Sequence, residues 1–135
     1  MSEIEHRISL PHKTILVVDD DREVLSLVSN YLCSLGFIVL KAASGEEAII
    51  VAEADSGSIA LLLVDAEMPG MSGLEFAESF LSRRSDVPLI LMSGFGKHGL
   101  GSLSGRIEFL PKPFSFAELA GKTIRLISAK GTQSS

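Results

Sequence analysis

The sequence predicts an α/β domain in which five short parallel strands form a sheet covered by helices on both faces. Three observations predict it. Short apolar runs rich in β-branched residues alternate with segments of helical period, the same serine-based helix-start signal occurs three times, and most of the apolar runs end in acids, a hydroxyl or a lysine. Alternation of this kind favours parallel pairing, because parallel neighbours need a crossover long enough to hold a helix.

Residues 1–13 show no sustained period and contain Pro11, so they read as a lead-in. Thr14-Ile-Leu-Val-Val-Asp19 is almost wholly apolar until it stops in acid, which marks a strand buried on both faces. Val24, Val28, Tyr31, Leu32 and Leu35 then recur at helical spacing, and Gly36 ends that helix. Phe37 to Lys41 reads as the second strand. Ser44-Gly-Glu-Glu47, Ser72-Gly-Leu-Glu75 and Ser115-Phe-Ala-Glu118 are capping boxes, each opening a helix through two reciprocal side-chain-to-amide bonds. Between and around them lie buried strands at Ile59 to Val64, Pro88 to Met92 and Ile107 to Leu110. Residues 94–105 break the rhythm with five glycines. At about 1 kcal/mol each relative to alanine, they predict a short or irregular fourth helix. The domain is expected over 14–129, followed by a tail at 130–135.

A chain of 135 residues has room for one compact domain. Its 46% hydrophobic and 21% charged residues suit a globular fold and exclude a disordered one. A net charge of −5 argues against direct nucleic-acid binding, which needs a basic face. No apolar run approaches the roughly 20 residues that span a bilayer, and the N-terminus lacks the apolar core of a secretory signal. Cys33 has no internal disulfide partner, and its place on an apolar helix face predicts a core residue. Together these predict a cytoplasmic protein with no membrane partner. His6, His12 and His98 have no metal-ligand spacing.

In an open parallel sheet, functional groups collect at the carboxyl ends of the strands. Those ends read Asp19-Asp20-Asp21, Val64-Asp65, Met92-Ser93-Gly94 and Pro111-Lys112-Pro113. Clustered carboxylates repel, so such a rim calls for a cation, and a small oxygen-seeking dication such as Mg²⁺ or Mn²⁺ suits it. A lysine and a hydroxyl beside it would supply charge and a hydrogen bond to a phosphoryl group in transfer, with one aspartate as nucleophile.

Ile15-Leu-Val-Val-Asp19-Asp20-Asp21, Leu63-Val-Asp65-Ala-Glu-Met68-Pro69-Gly-Met-Ser-Gly73, Leu91-Met-Ser93-Gly94 and Phe109-Leu-Pro-Lys112-Pro113-Phe114 resemble, in order, the receiver domains of two-component response regulators. The resemblance runs from about Thr14 to Ala129. It implies a flavodoxin-like sheet of order 2-1-3-4-5, and a phosphorelay switch rather than a metabolic enzyme. Asp65 would be the phosphoacceptor. Asp20 and Asp19 would hold the metal together with Asp65 and the backbone carbonyl of Glu67. Ser93 and Lys112 would engage the phosphoryl group, and Phe109 would be the switch aromatic. A cis peptide is implied at Lys112–Pro113. The phosphodonor would be a histidine kinase or a histidine phosphotransfer protein, and the domain would also hydrolyse its own aspartyl phosphate. Two departures stand out: the span from Ser93 to Lys112 is short and glycine-rich, and Phe109 carries no hydroxyl.

Plainer readings exist for each residue. Asp19, Asp20 and Asp21 could cap a helix, Asp65 could sit in a turn, Lys112 could be solvated and Ser93 could be an N-cap. Agreement among the strand ends weighs against these, except for Asp21, where capping is the better reading. Glu67 either faces water or stands over the phosphoryl site, where with Phe95 it would set how long the phosphoryl group survives. The rival enzyme reading is a haloacid-dehalogenase-type phosphatase, since Asp19-Asp20-Asp21 contains its Asp-x-Asp. Arg22 after the triplet and the lack of room for a substrate cap oppose it. A further alternative is the receiver module of a hybrid sensor kinase, whereas Met1 and the Gly-Thr-Gln-Ser-Ser tail fit a free-standing regulator.

Overall fold

A computed structural model describes residues 13–55, 57–94 and 107–133. The elements in order are β1 (Thr14–Val18), α1 (Arg22–Ser34), β2 (Ile38–Ala42), α2 (Gly45–Ala54), β3 (Ile59–Asp65), α3 (Gly73–Arg83), β4 (Leu89–Ser93), β5 (Ile107–Pro111) and α4 (Phe116–Gln133). The strands form one five-stranded parallel sheet of order β2-β1-β3-β4-β5, as predicted. The irregular fourth helix expected between β4 and β5, together with Phe95, His6, His12 and His98, lies outside the described residues.

Strand alternation divides the core into two layers. Leu16, Val18, Leu62, Val64, Leu89 and Leu91 pack with Ala48 of α2 and Phe76, Ala77, Phe80 and Leu81 of α3. Ile15, Val17, Leu61, Leu63, Ile90, Met92 and Leu110 pack with Leu25, Val28 and Leu32 of α1 and Leu119 and Ile127 of α4. This is why β1, β3 and β4 read as unbroken apolar runs: every side chain meets a helix layer.

Local signals set the helix ends. Asp21 caps α1 by accepting from the amides of Glu23 and Val24. At the other end of α1, Phe37 N donates to Leu32 O and Gly36 N to Cys33 O, around a glycine at φ 102°. That is a Schellman turn, and it needs the left-handed backbone that glycine supplies. Ser72–Glu75 and Ser115–Glu118 form both arms of the capping box. Ser44 caps Glu47 N, but Glu47 reaches back one residue further, to the amide of Ala43.

The core expectation for Cys33 fails: the thiol is exposed. Leu32 takes the inward position and is fully buried, which turns its successor outward. No helix among the described residues is long and apolar enough to cross a membrane.

Candidate functional site

The five strands run in the same direction, so their carboxyl ends share one edge, and β1 and β3 are hydrogen-bonded neighbours there. Asp19 follows β1 and Asp65 closes β3. Both continue the alternation of Ile15, Val17, Leu61 and Leu63, the layer under α1 and α4. Carboxylate oxygens of Asp19, Asp20 and Asp65 lie within 4.8 Å of one another. Asp19 and Asp65 are buried, whereas Asp20 is exposed.

Lys112 comes from beyond β5, two residues past buried Leu110, and its own backbone amide is tied to β4 by a 2.9 Å bond from Lys112 N to Ser93 O. The Lys112–Pro113 peptide is cis, as the resemblance implied. Lys112 Nζ donates to Asp65 Oδ1 at 3.1 Å and lies 3.6 Å from Asp19 Oδ2. One ammonium thus faces two buried carboxylates, and the charge is not balanced.

The titration of these groups follows. Burial, then repulsion from Asp19, pushes the Asp65 carboxyl up to about 6, against the opposing pull of Lys112 and the Glu67 amide. Burial likewise raises Asp19, with the Asp21 amide and Lys112 opposing. Burial alone would lower Lys112, but the Asp65 hydrogen bond and the surrounding carboxylates outweigh it and raise its pKa.

Asp19 Oδ1 accepts from Asp21 N at 2.9 Å, but Asp19 Oδ2 is buried without a hydrogen-bond partner. Its nearest cation is Lys112 Nζ at 3.6 Å, too long for a hydrogen bond and already donating to Asp65, so the cost of burying this oxygen is only partly offset. Hard oxygen donors, an excess of negative charge and a buried oxygen that accepts no hydrogen bond all fit a Mg²⁺-type ion.

Ser93 and Glu67 form a second group. Ser93 has the parity of Leu89 and Leu91, the opposite layer from Asp65, and its hydroxyl donates to Glu67 Oε2 at 2.7 Å. Gly94 N reaches Glu67 Oε1 at 3.5 Å, and Glu67 N donates to Asp65 Oδ1 at 3.3 Å. Phe109, on β5 opposite Leu91, is half-buried against the α2–α3 layer. The structure therefore brings Asp19, Asp20, Asp65 and Lys112 together, and joins Ser93 to Glu67, a partner that no local pattern singles out.

Sequence reasoning also missed why Gly73 is required. A Cβ there would fall 1.9 Å from the backbone oxygen of Asp65. The only signal was the place of Gly73 at the end of the Asp65-Ala-Glu-Met-Pro-Gly-Met-Ser-Gly73 run that carries the resemblance. Beside the site, Leu27 and Phe116 are exposed, and Phe116 stacks on Tyr31 with centroids 4.3 Å apart. They border a groove of about 590 Å³ that Lys112 and Pro113 also line.

Comparison with known proteins gives a consistent family. The model of the response regulator receiver domain matches residues 15–123. The transcriptional regulatory protein CpxR of Klebsiella pneumoniae is 37% identical over 111 residues, covering 80% of this chain and 46% of that protein. The transcriptional activator protein PfeR of Pseudomonas aeruginosa is 33% identical, covering 89% of this chain and 39% of its own. This chain thus spans about half the length, or less, of these relatives. Among solved structures, the response regulator TrrA of Thermotoga maritima in complex with Mg²⁺-BeF superposes with a TM-score of 0.75 at 34% identity, covering 84% of this chain and 98% of that one. The receiver domain of the hybrid histidine kinase CckA does so with a TM-score of 0.74 at 33% identity, covering the same shares.

Proposed function

The chain belongs to the response regulator receiver domain family, a family of signalling switches, and on that premise we propose that it takes a phosphoryl group onto Asp65 from a phosphohistidine. The donor would be a histidine kinase or a histidine phosphotransfer protein. The observation that carries the reading is Asp65 itself: a buried carboxylate with a lysine ammonium 3.1 Å from one oxygen, beside Asp19 Oδ2, which is buried and accepts no hydrogen bond.

In the transfer, a carboxylate oxygen of Asp65 attacks phosphorus, the P–N bond breaks, and the imidazole leaves with the bonding pair. Lys112 offsets the charge on the phosphoryl oxygens. Mg²⁺ or Mn²⁺, held by Asp19, Asp20, Asp65 and the backbone carbonyl of Glu67, would supply the remaining positive charge. Ser93 then engages the phosphoryl group and Phe109 turns further inward. A phosphorylated site that prefers that arrangement shifts the population toward it. Water attack at phosphorus returns the carboxylate and inorganic phosphate, so the domain would also reset itself. The apolar groove bordered by Leu27 and Phe116 lies beside Lys112, where a protein donor must approach.

Output would pass through a protein contact, since the acidic chain offers little to neutralise nucleic-acid phosphates. The family match sets aside the dehalogenase-type phosphatase. The likeness to the CckA receiver keeps a hybrid-kinase module as a second reading with the same chemistry. Incubation with acetyl phosphate and Mg²⁺, followed by mapping of the label, tests the proposal. Label on Asp65, absent from Asp65→Asn, is the expected result. Label on Asp19, or none in either protein, would overturn it.

A further inference from the structure

The end of β4 offers two hydrogen-bond donors, the Ser93 hydroxyl and the Gly94 amide, and both point at one carboxylate, that of Glu67. Glu67 lies two residues after Asp65, and its own amide bonds to Asp65 Oδ1 at 3.3 Å. Its backbone thus touches the nucleophile while its side chain takes the donors next door. A carboxylate and a phosphoryl group present similar pairs of acceptor oxygens.

We propose that Glu67 is a built-in competitor for the phosphoryl group. Its carboxylate holds Ser93 and Gly94 in the resting domain and must be displaced before those donors can engage a phosphoryl group on Asp65. The inference rests on the phosphoacceptor reading of Asp65 and on Ser93 as a phosphoryl partner.

Two forces favour the exchange once Asp65 is loaded. Phosphorylation replaces the single charge of the Asp65 carboxylate with roughly −1.5 to −2 on the phosphoryl oxygens, which increases the repulsion on the Glu67 carboxylate. It also offers oxygens to the released hydroxyl and amide. Before loading, the latch holds the binding-competent arrangement to a fraction of the population, and the apparent affinity for a phosphoryl mimic falls by that fraction. Glu67 is exposed, so its side chain can swing into water without opening the core.

Calorimetric titration of the whole chain with beryllofluoride and Mg²⁺ tests this. Glu67→Ala should bind the mimic roughly tenfold more tightly than the parent, the scale of a hydrogen bond to a charged group. In a Ser93→Ala background the same substitution should gain less than about twofold, because no hydroxyl remains to be released. In the free Glu67→Ala protein, the amide resonance of Gly94 should also move toward its position in the beryllofluoride-saturated parent. An equal gain in both backgrounds would reduce Glu67 to a simple charge effect and overturn the latch, as would no gain at all. A folded parent that binds no beryllofluoride would instead overturn the phosphoacceptor reading, and the latch with it.

Discussion

Gly73 lies directly against the backbone carbonyl of Asp65, so close that a methyl group at its α-carbon would sit 1.9 Å from that oxygen. Gly73 opens α3, and its amide donates to Ala66 O at 3.2 Å. The helix start therefore buttresses the strand end that carries the candidate nucleophile. Both partners in the clash are backbone, so neither can rotate away. Gly73→Ala should cost about 1–3 kcal/mol, read as a lower urea midpoint, and should slow labelling by acetyl phosphate. An unchanged midpoint would show that the loop relaxes freely.

The raised carboxyl of Asp65 makes a signed prediction about pH. Without metal, its folded-state pKa of about 6 exceeds the ordinary 3.8. The native state therefore binds the extra proton, and this contribution is fully present below about pH 4 and lost as pH rises through 6. Asp65→Asn should stabilise the metal-free protein by about 1–3 kcal/mol at pH 7 and by almost nothing at pH 4. Thermal unfolding in EDTA at both values checks it, and a pH-independent difference between the two proteins would refute the electrostatic account.

Lys112 sits where a dication's charge would otherwise be needed, 3.1 Å from Asp65 and 3.6 Å from Asp19. Lys112→Met removes that competitor while roughly keeping the side chain's length. Mg²⁺ should then bind about three- to tenfold more tightly at pH 7, although labelling by acetyl phosphate drops at least tenfold. Calorimetry gives the first number. Weaker Mg²⁺ binding would mean that the lysine organises the carboxylates rather than competing for them.

At the amino-terminal side of β3, Arg84 donates to Asp55 at 3.1 Å and to Ile59 O at 3.3 Å, and its guanidinium lies over the Phe80 ring. Burial would raise Asp55, but bonds from Ser58, from the Ile59 and Gly57 amides and from Arg84 outweigh it and hold its pKa low. The clasp is therefore stabilising above the ordinary carboxylate range and is lost as pH falls through the lowered pKa. Arg84→Ala should cost about 1–3 kcal/mol at pH 7 while leaving Mg²⁺ affinity unchanged. Equal stability of the two proteins in urea at pH 7 would remove the clasp from the account.

If the donor docks against the Leu27–Phe116 groove, Phe116→Ala should slow transfer from a phosphohistidine protein by about tenfold. Labelling by acetyl phosphate, which needs no docking face, should stay as it is. Parallel loss of both rates would point to a disturbed site instead.

Much of this molecule is written locally. Asp21, Ser72 and Ser115 cap helices because their side chains reach amides two or three residues away, and Gly36 ends α1 because the turn needs its backbone. The unbroken apolar runs of β1, β3 and β4 required helices on both faces, and those strands' direction put Asp19, Asp65 and Ser93 at one edge. Cys33 shows the limit of the same logic: one helical position, about 100° of rotation, separates it from buried Leu32.

What the chain's order determined, then, was the sheet, the caps and the list of polar residues at the carboxyl ends of the strands. Which of them meet was decided by packing between segments far apart in sequence. Lys112 reaches back 47 positions to Asp65, and Ser93 reaches back 26 to Glu67. Those pairings depend on strand register and on which layer each side chain enters, and both are fixed only when the two helix layers close on the sheet.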